Sequence, residues 1–228
     1  MMFWYEAPLA AFALRSTRTP LSRLPFDAEN DRMTAAALVT QLAPGAPTAS
    51  RGWQVESAPV PAWSVEEQAR ALAAQESSGT PLVVMNAPYD LTLLDRELRR
   101  LRGTRLADHL GRASLCVLDP LVLDKHLDRT RGGRRALPDL CAYYGVPLPP
   151  PDGDAESAAR AGLEVVRALG RHHAPRLSCH SPAELHTLQA VWYGAQARGT
   201  APWFASGRTE RQVDPAWPLR PETPPAVA

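Results

Sequence analysis

The chain has 228 residues, 45% of them hydrophobic, with 25 basic and 24 acidic residues and a net charge of +1. That length suits one domain of ordinary size plus an extension, with a sizeable core. The near-neutral balance excludes a global field that draws the chain to nucleic acid or membrane, so any nucleic-acid contact must be local.

The start, Met1 to Leu14, is apolar but lacks a basic leader region and carries Glu6. It reads as an edge segment followed by a first strand at Ala10 to Leu14, rather than as a signal peptide. Thr19 to Asp31 is polar and contains proline, which predicts a loop. Arg32 to Leu42 predicts a second strand, and a third begins at Gly52 to Val55, giving an antiparallel meander. Val65 to Gln75 predicts a helix with Ser64 as its N-cap.

A strand at Pro81 to Met85 follows, then a helix from Pro88 with a stripe of Leu91, Leu94, Leu98 and Leu101. Ser114 to Leu118 predicts the next strand. Leu121 to Arg129 predicts a helix capped by Asp119, and Ala136 to Tyr144 another, stopped by Gly145 and the prolines up to Pro151. Asp154 is placed to cap a helix running to His172, with Glu156 in its first turn. Ser181–Pro182–Ala183–Glu184 spells a capping box with proline at the first helical position. Leu185, Leu188, Val191, Trp192 and Ala195 would form the buried face of that last helix. Beyond Gly199 the chain is proline-rich and expected to wrap the surface or fray.

Three strands followed by alternating strands and helices predict an α/β fold, a mixed sheet with helices on its faces. The expected division is a domain over residues 1–175 and a C-terminal helix with a proline-rich tail over residues 176–228. Cys116, Cys141 and Cys179 have no paired spacing, which points to a reducing, cytoplasmic setting. No stretch approaches the ~18 consecutive apolar residues of a membrane span.

Two segments carry a family resemblance. Phe12 to Thr19 reads F-A-L-R-S-T-R-T, and Asn86 to Leu98 reads N-A-P-Y-D-L-T-L-L-D-R-E-L. They resemble the first two motifs of the DnaQ-like (DEDD) 3′–5′ exonucleases, of the proofreading DNA polymerase III epsilon subunit type. Asp27 to Ala36 looks like the family's turn into its second strand, with Pro20 to Phe26 inserted before it. Val117 to Pro120 and Leu137 to Val146 are similar to the connection to the third motif. Ser181 to Tyr193 and Trp217 to Arg220 resemble an extension seen in some bacterial members. A segment carrying a His-Gly motif is absent or shortened between Val55 and Ser64.

The resemblance implies a ribonuclease-H-like fold and a two-metal phosphodiester hydrolase. The family's first motif reads roughly F-D-L-E-T-T-G-T, and its Asp and Glu fall on Ala13 and Arg15. The metal-binding Asp of the second motif falls on Asp90. The third motif's His and Asp fall on Gly153 and Ala158. Hard divalent cations need carboxylate oxygens, and one carboxylate cannot hold two. A guanidinium about 4 Å from a divalent ion repels it by roughly 8 kcal/mol at an effective dielectric of about 20.

Two replacements for the lost ligands present themselves. Phe26–Asp27–Ala28–Glu29 spells F-D-x-E, though no buried strand precedes it. Asp154 lies one residue from the His position, where a helix cap is the simpler reading. The family would then take Mg²⁺ or Mn²⁺; without such replacements no cofactor is expected.

Other clusters have simpler readings. His172, His173, Cys179 and His180 match no zinc spacing. Arg129, Arg131, Arg134 and Arg135 form a basic loop able to touch phosphates or simply to be solvated. Lys125 is the only lysine, leaving 25 − 1 = 24 arginines; phosphate binding and GC-rich coding both produce that bias.

The resulting expectation is a pseudo-exonuclease with a dismantled metal site, binding nucleic acid or a protein partner through the inherited cleft. Single-stranded 3′ ends and proteins of DNA replication and repair are the expected partners, with no membrane. Arg15, Arg18, Asn86 and Tyr89 are the expected nucleic-acid contacts, and Asp90 with Asp154 the residual metal ligands. An active 3′–5′ exonuclease built from Asp90, Asp154 and Asp27 or Glu29 is the alternative. Arg15 is expected to stand within salt-bridge reach of Asp90 or Asp154.

Overall fold

Alternation along the first strand, β1 (Leu9–Ser16), puts Ala10, Phe12 and Leu14 on one face and Leu9, Ala11 and Ala13 on the other. Both sets are buried, each in its own hydrophobic cluster, so β1 sits at the centre of a two-sided sheet. The computed structural model describes residues 2–17, 27–54, 60–111, 114–150, 153–205 and 214–221.

β2 (Met33–Gln41) and β3 (Thr48–Gln54) continue from β1 as an antiparallel meander. β4 (Leu82–Val84) and β5 (Val117–Leu118) join on the other side in parallel, giving the order β3-β2-β1-β4-β5. The expected mixed sheet is therefore present. β3 starts earlier than expected, because Thr48, Ala49 and Ser50 pair with β2 through main-chain register without a buried apolar pattern.

Helices α1 (Ala62–Ser77) and α2 (Ala87–Arg102) cover the Phe12 face. α6 (Ala155–His172) covers the other, where the small residues Ala11 and Ala13 admit it closely. Its Arg167 is fully buried and donates to the carbonyl oxygens of Tyr5 (2.6 Å) and Ala7 (3.1 Å) and to Gln41 (2.8 Å). This ties the helix to the 3₁₀ turn at Trp4–Glu6 and to β2. α3 (Leu106–Leu110) and α7 (Ala174–Leu177) are too short to leave a periodic signal in the sequence. α4 (Pro120–Leu127) and α5 (Leu137–Tyr144) lie where expected.

Two expected details are corrected. α1 begins at Ala62 after Pro61, so Ser64 is no cap; it is buried in the first turn, where its hydroxyl accepts from Gln68 (3.3 Å). In α8 (Pro182–Ala205) Val191 is 62% exposed, and the buried side is instead centred on Leu185 and Gln189. That face contains a glutamine because it meets the backbone edge of β5. His186 Nδ1 accepts the Val117 N–H (3.1 Å), Gln189 Oε1 accepts the Asp119 N–H (2.7 Å), and Gln189 Nε2 donates to the Val117 carbonyl (3.0 Å).

The segment 214–221 then crosses α2. Trp217 enters the core, the Arg220 N–H donates to Thr92 Oγ1 (3.0 Å), and buried Arg96 donates to the Pro221 carbonyl (2.6 Å). Among the described residues, no helix is long and apolar enough to cross a membrane.

Candidate functional site

Three chain segments meet at the carboxyl ends of β1, β4 and β5. Ala13 and Arg15 end β1; Asn86 and Asp90 follow β4; Asp119 follows β5. Open α/β sheets place ligands at such strand ends. Gly153 to Ala158, at the start of α6, joins them through Arg15. Arg15 shares the face of Ala13, so its side chain points to α6. Its Nη2 donates to the carbonyl oxygens of Gly153 and Asp154, the second at 3.3 Å.

The expected ion pair does not form. The guanidinium binds main-chain carbonyls of the α6 approach rather than the carboxylate of Asp90 or Asp154. Two carbonyls outbid the carboxylates because Asp154 is engaged locally, accepting the Ser157 N–H (2.8 Å) as the cap of α6. That bond holds the Asp154 carboxyl below its ordinary range, with Arg15 adding a smaller effect.

Asp90 faces inward. Its Oδ2 accepts the Leu14 N–H at 3.3 Å, bridging the first turn of α2 to the end of β1. Burial pushes its carboxyl well above the ordinary range, and the nearby Asp119 pushes the same way. Asp119 is fully buried and accepts three backbone N–H groups: Asn86 (3.1 Å), Ala87 (2.9 Å) and Leu121 (2.9 Å). It therefore caps α4, as expected, and also holds the entry to α2. Burial raises its carboxyl despite those bonds.

The second role of Asp119 explains a strained residue. Asn86 has φ 59° and ψ 51°, left-handed backbone that few non-glycine residues adopt. Asp119 sustains it by binding its N–H and the next. The sequence signal for this was Asn-Ala-Pro at a strand end, since Asn tolerates that conformation better than most.

Tyr89, expected at a nucleic-acid face, is only 4% exposed. Its hydroxyl bonds Asp31 Oδ2 (2.7 Å) and Ser16 Oγ (2.8 Å), so it presents no ring to a base; burial raises its phenol above the ordinary range. Arg18 lies outside the described residues. Asp27 closes its own loop, accepting from the N–H groups of Glu29 (3.1 Å) and Asn30 (3.3 Å). Glu29 pairs with Arg96 of α2. Neither therefore complements Asp90 in this arrangement.

Two arginines of the basic loop turn inward, while Arg129 and Arg134 are exposed. Arg131 and Arg135 both bind the fully buried Asp124 of α4, which also accepts from the Tyr144 hydroxyl (2.8 Å). Among the described residues no group of three or more His, Cys, Asp or Glu side chains is placed to hold a metal ion. The donor set at the three-segment junction, two buried carboxyls that already accept backbone N–H groups beside a guanidinium, does not fit a two-metal centre. A recess of about 740 Å³ lies at the opposite, amino ends of the strands, lined by Pro8, Pro81 and Cys116 among others. It is remote from the motif residues and shares none of their chemistry.

No protein-family model matches the chain, and no curated protein matches its sequence. Solved structures do match its fold. An exonuclease I from Methylocaldum szegediense is 15% identical with a TM-score of 0.51, over 75% of this chain and 42% of that one. A second exonuclease I structure is 13% identical with a TM-score of 0.51, over 76% of this chain and 43% of that one. The chain thus spans less than half the length of these two exonucleases. At such identities the likeness establishes the ribonuclease-H-like fold.

Proposed function

We propose that this chain, which carries the ribonuclease-H-like fold of exonuclease I, is a non-catalytic homologue of the DnaQ-like 3′–5′ exonucleases. It binds nucleic acid, or a protein partner, through the cleft at the carboxyl ends of β1, β4 and β5. The observation that carries this reading is the placement of Arg15 against the start of α6, on the face of β1 shared with Ala13.

Charge balance supports it. In the pattern the sequence resembles, four carboxylates carry −4 and two divalent ions supply +4. Here Arg15 supplies +1 in place of one of those carboxylates, and burial favours the uncharged form of Asp90. Adding two ions would leave that charge uncompensated in a partly buried cleft. The guanidinium does mechanically what bridging ions would do, joining the end of β1 to the start of α6. The Gly153 position supports the same reading. A Cβ built there would lie 2.6 Å from Ser157 Oγ and 2.8 Å from the Pro150 carbonyl. No side chain, and hence no general base, fits at that point of the loop.

Incubation of the purified chain with end-labelled single-stranded DNA and RNA, with Mg²⁺ or Mn²⁺, tests the reading. No mononucleotide should be released. Metal-dependent release that disappears in Asp90→Asn would overturn it in favour of an active exonuclease.

A further inference from the structure

We propose that Arg15 anchors a metal-independent phosphate site in this cleft, which takes a phosphate group of a nucleic-acid strand. The inference rests on the non-catalytic reading above and adds the ligand chemistry.

Only one nitrogen of the Arg15 guanidinium, Nη2, is engaged, by the carbonyls of Gly153 and Asp154. Nε and Nη1 have no hydrogen-bond partner among the described residues. The side chain is half-buried, so the group is both held in place and open to a ligand. A long arginine normally loses rotamer freedom on binding; one fixed beforehand by two carbonyls loses less. A phosphate accepts from a guanidinium through charge-assisted bonds, stronger than those of a neutral donor.

Among the described residues, the acidic groups of this cleft are removed or occupied. Ala13 and Ala158 carry no charge. Asp154 is turned to the Ser157 N–H, and Asp90 to the Leu14 N–H. Burial also favours the uncharged form of Asp90. Asn86 heads α2, in the turn that leads to Asp90, and its side-chain amide makes no hydrogen bond among the described residues. Its strained backbone is the kind of feature that accompanies binding sites. The phosphate would occupy space that, in the pattern the sequence resembles, belongs to cations.

The test measures binding to the full chain in EDTA by calorimetry, with three probes: inorganic phosphate, a 5′-mononucleotide and an oligothymidylate. All three should bind competitively, the oligothymidylate most tightly and with affinity falling as salt rises. Arg15→Gln keeps an amide able to donate to the two carbonyls but removes the charge; it should fold and weaken each probe roughly tenfold or more. Arg15→Lys should recover part of the loss.

Unchanged affinity in Arg15→Gln, or no binding of any probe by the parent chain, would overturn the site. So would binding of inorganic phosphate with none of the oligothymidylate. These results leave the non-catalytic reading standing. Binding that requires Mg²⁺, with release of mononucleotides, would overturn both.

Discussion

Asp90 accepts the main-chain N–H of Leu14, 76 positions away in the sequence, at 3.3 Å, and is buried where it does so. A carboxyl there is easier to keep protonated than charged, and the folded state raises its proton affinity. Between the ordinary carboxyl range and the raised folded value, the native chain binds more protons than the unfolded one. Stability should therefore be fully expressed at low pH and decline as pH rises through that window. Asparagine keeps the acceptor without the charge. Asp90→Asn should be more stable than the parent at pH 8 by about 1 kcal/mol or more, with the gain shrinking towards pH 4. Thermal melts of both proteins across that range check this. A substitution whose cost grows as the pH rises would show instead that Asp90 is charged and well paired.

Metal addition separates this cleft from an ordinary two-metal site. The parent chain should show no rise in melting temperature with millimolar Mg²⁺ or Mn²⁺, because nothing in the cleft binds the ion in the folded state alone. The combined change Ala13→Asp, Arg15→Glu and Ala158→Asp gathers three new carboxylates beside Asp90. It should be destabilised without metal, by several kcal/mol, since unpaired buried charges repel. It should regain much of that on adding Mn²⁺. A parent chain stabilised by Mn²⁺, with the gain lost in Asp90→Asn, would mean that the cleft binds metal as it stands.

The sheet and most helices were legible because their signals are local. Ser181 to Glu184 forms the expected capping box, with Ser181 N–H to Glu184 at 2.7 Å, and Asp154 caps α6 as its spacing suggested. The convergence of Arg15, Asp90 and Gly153 followed from motif order and not from any local pattern. What Arg15 binds was not legible, because main-chain carbonyls leave no trace in side-chain identity. Val191 was misassigned for a related reason. The apolar residues of α8 are spread around the helix with Glu184, His186, Thr187 and Gln196 among them, so they do not reveal its buried face, and here the polar Gln189 marks it. The loop arginines 131 and 135 looked available for phosphate; only the fold shows that Asp124 claims them.

Gly153 gives a sharper test of how far the third-motif loop has moved. Alanine there must displace either the Ser157 hydroxyl or the Pro150 carbonyl, and the second is backbone. Gly153→Ala should cost about 1–3 kcal/mol, the usual range for overpacking. Gly153→His should cost at least as much and restore no activity. The double change Gly153→Ala with Ser157→Ala relieves the hydroxyl contact alone, and should recover part of the loss in denaturant melts. Full recovery would place all the strain on Ser157; a neutral Gly153→Ala would mean that the loop accommodates a side chain freely.

The final expectation concerns the β5 edge. Edge strands present unpaired backbone groups that invite association with other chains. α8 covers this one with two side chains: His186 and Gln189 together engage the Val117 N–H and carbonyl and the Asp119 N–H. Gln189 is fully buried, so replacing it with leucine removes partners from two backbone groups without admitting water. At about 1–3 kcal/mol for each unsatisfied group, Gln189→Leu should lower stability by roughly 2–6 kcal/mol. Gln189→Glu keeps the acceptor for Asp119 but turns a donor towards the Val117 carbonyl into a carboxylate, and places charge near buried Asp119. It should be worse than leucine at pH 8 and improve as the pH falls. Because Asp119 also holds Asn86 and Ala87, either change should loosen the head of α2 as well as β5. Hydrogen exchange would register this as faster exchange at residues 86, 87, 117 and 119 together. Faster exchange confined to residues 117 and 119 would show that the α2 entry stands without support from α8.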